Sequence, residues 1–182
     1  MITRIRMETK DFENFVASQQ ETDDSAVETR DEWLKDLDAL HCTVAEFLQD
    51  YIKAGSISYS FTEIELTEPG IGKYLAKRMD IKIGRQRVSL VPVGTMLIGC
   101  KGRVDAQGSA GRAQILLVDE KARSAADLVK VKVNVGGKGP ASPPSREPLL
   151  WAWKILSNAL QRGFVDLDKE SFFALLMEVG NA

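Results

Sequence analysis

The chain has 182 residues, 44% of them hydrophobic and 27% charged, with 14 Gly, 6 Pro and 2 Cys. This composition excludes a collagen-like, disulfide-dense or wholly disordered chain. At this length folding buries about 70% of the unfolded surface, enough core to stand without metal or disulfide staples. The net charge of −2 conceals a division: residues 1–72 hold 16 Asp/Glu against 6 Lys/Arg, residues 73–112 hold 2 against 9, and residues 113–182 hold 8 against 9. An acidic front and a basic middle predict either an anionic partner for the middle or packing of one region on the other, and internal packing is the favoured expectation.

Arg4 and Arg6 precede no apolar run, so the start does not read as a secretory signal. The uncharged stretch 88–100 contains Pro92 and falls short of the ~20 residues a membrane-spanning helix needs. Cys42 lies in a helical pattern and Cys100 in a strand pattern, which predicts a reduced, cytoplasmic protein with no membrane partner.

Residues 2–7 read as a short strand or an unfixed tail. Phe12, Phe15, Val16 and Gln19 follow helical spacing behind a cap at Asp11. Residues 21–28 are rich in acids and lack aromatics, and they read as a mobile acidic linker. Trp33, Leu37, Leu40, Val44, Phe47 and Tyr51 then recur at alternating spacings of four and three, a helix that ends at Gly55.

Beyond Gly55, Ile57, Tyr59 and Phe61 share one face of a strand, while Ile64 and Leu66 fall on the other, which predicts a bulge near Thr62. Met79, Ile81, Ile83, Val88 and Leu90 form a hairpin turning at Gly84-Arg85-Gln86. A second hairpin, residues 96–105 with 112–119, turns at Gly108-Ser109-Ala110-Gly111. Residues 129–135 alternate valine with polar residues as a half-buried strand, and 136–148 form a Gly/Pro-rich surface loop. Leu149, Leu150, Trp153, Ile155, Leu156 and Leu160 fit a helix, residues 164–167 fit an edge strand, and Asp168 caps a final apolar helix. The whole predicts a single α+β domain over 1–182: one largely antiparallel sheet covered by a long N-terminal helix and C-terminal helices.

His41 is the only histidine and has no partner at zinc-ligand spacing, so it reads as structural. Gly70-Ile71-Gly72-Lys73 and Gly136-Gly137-Lys138-Gly139 lack the spacing of a phosphate-cradling loop and read as turns. Asp105, followed after a Gly-rich turn by Asp119-Glu120-Lys121, resembles the D…(D/E)xK signature of restriction-like nucleases. The resemblance implies Asp105 and Asp119 as carboxylates holding Mg²⁺ or Mn²⁺ and Lys121 as the residue that positions the attacking water, with Glu46 or Glu63 as further acids. Asp119 and Lys121 would share a strand face, but a turn at 108–111 pairs Asp105 with Gln114 and leaves Asp119 five residues along the ladder, roughly 17 Å away at ~3.4 Å per residue.

Lys82, Arg85, Arg87, Lys101, Arg103 and Arg112, with Lys130 and Lys132 on the later strand, form a basic set that could neutralise phosphates. The aromatic stacking platform of single-strand binders is missing beside it. Trp151 and Trp153, two apart on the expected helix, point in different directions and offer one ring to a second copy in a homodimer. The leading expectation is a non-catalytic module that binds another protein or itself and uses no cofactor. A nucleic-acid-binding module is the first alternative, and a metal-dependent nuclease the second.

Overall fold

A computed structural model describes residues 9–95, 98–128, 150–157 and 163–181. The first element, α1 (Thr9–Lys53), is one continuous helix of 45 residues, ~68 Å long at 1.5 Å per residue. The apolar seam does the packing: Trp33, Leu37, Leu40, Val44 and Leu48 are all buried, whereas the described side chains from Lys10 to Glu32 are exposed or half-buried. The helix stops as the sequence predicts. Gly55 takes φ 74°, its N–H donates to Ile52 O, and the Ser56 N–H donates to Tyr51 O, the two bonds of a glycine-terminated C-cap.

Residues 21–28 are helical, not a linker. They carry no apolar face, so periodicity could not reveal them; helix-tolerant Glu21, Ala26 and Glu28 and an already nucleated helix downstream extend α1 through them.

Among the described residues seven strands follow, all antiparallel and each beside its neighbour in sequence: β1 (Ile57–Glu68), β2 (Gly72–Ile83), β3 (Gln86–Gly94), β4 (Cys100–Gln107), β5 (Arg112–Asp119), β6 (Trp151–Ser157) and β7 (Gly163–Asp166). The helix α2 (Lys169–Gly180) closes the fold. Asp168 is its N-cap: the Ser171 N–H donates to Asp168 Oδ1, and Ser171 Oγ accepts from the Asp168 N–H. The fold is α+β, with both helices on one face of an open antiparallel sheet: Val104, Ala106 and Ile115 share a core with α1 and with Phe172, Leu175 and Val179 of α2.

Two expectations are corrected. Trp151–Ser157 is a strand rather than part of a helix, paired with β5 from Gln114↔Leu156 to Asp119↔Trp151; its apolar run fits either period, and the open edge of β5 decides between them. As strand neighbours, Trp151 and Trp153 point to one side, and Trp153 lies against Trp33 with ring centroids 6.2 Å apart. The β1–β2 ladder is also unbroken from Ile57↔Ile83 to Glu68↔Gly72, with no bulge at Thr62. β3 pairs with β2 only from Met79 to Ile83, so the far half of the β1–β2 hairpin is a two-stranded ribbon. Such ribbons twist more strongly than wide sheets, and Tyr74 and Ala76 are buried there where Met79 and Ile81 are buried nearer the sheet.

The ribbon's tip is fastened at Glu68. Its carboxylate accepts from Tyr74 Oη, and from the Thr95 N–H at 2.7 Å and Oγ1 at 2.9 Å. Burial first, and then the Glu68 carboxylate, push the Tyr74 phenol above its ordinary range. The strand expected at 129–135 and the loop expected at 136–148 lie outside the described residues, as does the segment 2–7.

Candidate functional site

The nuclease-like residues do not converge. Asp105 sits in mid-β4, 3% exposed, opposite Gln114. Arg103 grips it with two bonds, Nε to Oδ1 at 2.6 Å and Nη2 to Oδ2 at 2.9 Å, and Arg112 Nη1 stands 3.6 Å from Oδ2. Asp119 is the last residue of β5, opposite Trp151, and its Oδ1 accepts from the backbone N–H of Lys121. Lys121 therefore lies in the turn after β5 rather than on a strand face with Asp119. The turn at 108–111 forms as expected, with the Gly108 N–H donating to Gly111 O, and it holds Asp105 and Asp119 five rungs apart. Glu46 and Glu63 are exposed on α1 and β1. Among the described residues no group of three or more His, Cys, Asp or Glu is placed to hold a metal ion.

The basic middle is largely engaged by the chain's own acids. Lys101 reaches Asp36 at 2.8 Å and Glu32 at 3.3 Å on α1. Burial opposes its charge, but these two carboxylates outweigh burial and raise its pKa. Lys77 reaches Asp38 at 3.5 Å, and Arg78 binds Asp80 at 2.9 Å. Asp80 also accepts from Ser89 and Thr62. Burial works against the Asp80 carboxylate, and the hydrogen bonds from Ser89, Arg78 and Thr62 overcome it, holding the group below its ordinary pKa. The remaining members of the set part ways: Lys82, Arg85 and Arg87 are exposed around the β2–β3 turn, with Lys82 opposite Arg87, and Lys130 and Lys132 lie outside the described residues.

Lys154, which sequence reading did not single out, is 5% exposed at a cleft of about 470 Å³ between β6, β7 and α1. Its Nζ donates to Glu120 O and Ala122 O and pairs with Asp166 at 2.9 Å. All three of its donors are thus satisfied, and the lysine ties the β5–β6 connection to the sheet.

The feature that remains open is an edge. Among the described residues β1 is an outermost strand, 12 residues long, and its sequence, ISYSFTEIELTE, contains no Pro, Gly, Lys or Arg. Long, uninterrupted edges expose a row of unpaired backbone donors and acceptors, and folds ordinarily blunt them with prolines, lysines, bulges or short strands. Tyr59 and Phe61 flank this edge 38% and 47% exposed, their rings 5.6 Å apart. Behind Phe61 lies His41, ring centroids 5.2 Å apart. His41 is 3% exposed, neither of its ring nitrogens has a hydrogen-bond partner among the described residues, and burial pulls its pKa down to about 4.

The opposite edge is treated differently. β7 has 4 residues, its start is bridged by Ser124↔Gly163, and its Phe164 N–H donates to Arg123 O. Among the described residues no helix is long and apolar enough to cross a membrane. Compared with protein-family models, curated proteins and solved structures, the chain matches none of them.

Proposed function

We propose that this chain works by binding another polypeptide, as an interaction or assembly module, along the outward side of β1. The observation that carries this reading is the 12-residue edge, uncharged from Ile57 to Thr62 and free of proline and bulge, with two exposed aromatic rings beside it. An extended segment laid on such an edge gains main-chain hydrogen bonds for affinity and reads alternate side chains for specificity. Here one side of the added strand would meet Tyr59 and Phe61, and the other Ser58, Ser60 and Thr62. The pairing of Lys77 and Lys101 with α1 supports an internal use of the charge division. The free thiols of Cys42 and Cys100 support a reducing compartment, the cytoplasm.

The test is selection of random extended peptides on the immobilised chain, with re-testing on a Phe61→Asp variant whose circular dichroism shows the fold retained. Selected peptides should lose binding to the variant; peptides that bind both equally would place recognition elsewhere. A second reading, nucleic-acid binding at the β2–β3 turn, is favoured only by the exposed Lys82, Arg85 and Arg87. It calls for a gel shift with single- and double-stranded DNA and RNA at low and physiological salt, with Mg²⁺ and with EDTA. A shift that survives physiological salt and disappears in the triple alanine variant would move the function to that turn.

A further inference from the structure

The partner that β1 fits is a second copy of itself. Resting on the reading of β1 as the binding edge, we propose that two copies pair their β1 strands antiparallel about a two-fold axis at Ser60, joining the two seven-stranded sheets into one. Isologous pairing makes every contact occur twice. It also requires facing residues of equal parity, because alternate side chains lie on opposite faces. An axis at Ser60 satisfies this and sets Tyr59 opposite Phe61 of the second copy, twice, on the helix-covered side. On the other side Ser58 faces Thr62 and Ser60 faces itself. Aromatic pairs and hydroxyl pairs are both favourable facing combinations.

Charge and the aromatic pair together select this register over longer overlaps. Glu63, Glu65 and Glu68 lie in one half of β1, which has no basic residue. With the axis at Ser60, Glu63 faces Ile57, and the two copies' Glu63 residues stand six positions apart, roughly 20 Å at ~3.4 Å per residue. Sliding the axis to Glu63 sets that carboxylate opposite itself, and sliding it to Ile64 sets Glu63 opposite Glu65. Like charges directly opposite are destabilising, so the gain from a longer ladder is opposed. Axes at Phe61 or Thr62 bring no two acids together but set Glu63 opposite Tyr59 or Phe61 in place of the Tyr59–Phe61 pair, so acids and rings together confine pairing to residues 57–63.

Residues directly opposite in an antiparallel pair have Cα atoms ~4.5–5.5 Å apart, inside the range a disulfide spans. In a Cys42→Ser background, Ser60→Cys should oxidise to a covalent dimer, while Thr67→Cys, outside the overlap, should not. The unmodified chain should show twice its 20.1 kDa mass by light scattering at micromolar concentrations, and Phe61→Asp should return it to a folded monomer, its circular dichroism retained and its melting temperature lower and independent of concentration. A monomeric mass without cross-linking specific to position 60, or equal cross-linking at position 67, would overturn the proposal.

Hydrogen exchange separates this failure from failure of the edge reading. Protection of the outward-facing β1 amides that rises with concentration is the expected result. Fast exchange of those amides in a monomer overturns self-pairing but leaves an open edge for another partner. Slow exchange in a monomer overturns both.

Discussion

On the helix-covered side of the sheet, Met79, Ile81, Val88, Leu90, Val104 and Ile115 are completely enclosed, whereas on the opposite side the same strands carry Asp80, Ser89, Arg103 and Asp105 in a hydrogen-bonded array. The first face is specified by volume, through side chains that each contribute ~1.5–3 kcal/mol on burial. The second is specified by pairing, since each carboxylate is placed so that an arginine on its own strand, two residues away, can reach it. Much of the basic middle is thereby absorbed into the fold. A surface with unmet bonding capacity therefore has to be sought at the sheet's perimeter, where β1 and β7 differ so sharply.

The sharpest break of the apolar face is at Trp33. A Cβ on Gly102 would lie 2.1 Å from Trp33 Cζ3, so β4 approaches α1 at a point only glycine allows. Trp33→Ala is expected to cost about 4 kcal/mol in urea unfolding. Gly102→Ala should also destabilise, and combining it with Trp33→Phe should recover part of the loss, because the smaller ring leaves room for the methyl. Simple additivity in that double-mutant cycle would show that the two residues do not share one packing constraint.

His41 offers the next largest effect, this one dependent on pH. The groups facing it are Asp38 and Lys77, but desolvation dominates and lowers its pKa from 6.5 to about 4. As the pH falls below 6.5 the unfolded chain takes up the proton first, so stability is complete above that value, declines down to about 4 and is level below. The span corresponds to a loss on the order of 3 kcal/mol. His41→Leu should remove this slope from pH-dependent unfolding while leaving stability at neutral pH equal or higher, since two unpaired ring nitrogens leave the core. An unchanged slope would assign the acid sensitivity to other groups.

These two faces were unequally legible in the sequence. Trp33 to Tyr51 announced a helix because one period persisted over five turns, and both central hairpins were marked by alternation closing on glycine-containing turns. Residues 151–157 were not, because a short apolar run fits a helix face as well as a buried strand until β5 supplies its partner. Asp105 looked catalytic because a carboxylate and a DxK pattern are local signals, whereas its pairing with Arg103 depends on a strand orientation that the pattern does not encode. The openness of β1 is less visible still: being outermost is a property of strand order, and no residue within 57–68 states it.

On the open face, Asp105→Ala should cost about 1–2 kcal/mol. That is less than a fully buried pair would lose, because Arg103 and especially Arg112 retain access to water, with side chains 22% and 59% exposed. Asp80→Asn should remove stability at neutral pH and flatten the acid limb of the unfolding profile. A carboxyl held below its ordinary pKa contributes above the unfolded value of 3.8, and that contribution disappears as the pH falls through its folded pKa.

The smallest effect separates cations that serve the fold from those left over. Lys101 bridges to two acids on α1, so Lys101→Ala should lower stability by about 1 kcal/mol, with the loss shrinking as salt is added. Lys82, Arg85 and Arg87 make no ion pair among the described residues, and replacing all three by alanine should change stability by less than about 0.5 kcal/mol. A triple variant that unfolds as readily as Lys101→Ala would mean that the turn, too, is held by an internal acid. The division between structural and free charge would then fail at the one place where the second functional reading needs it.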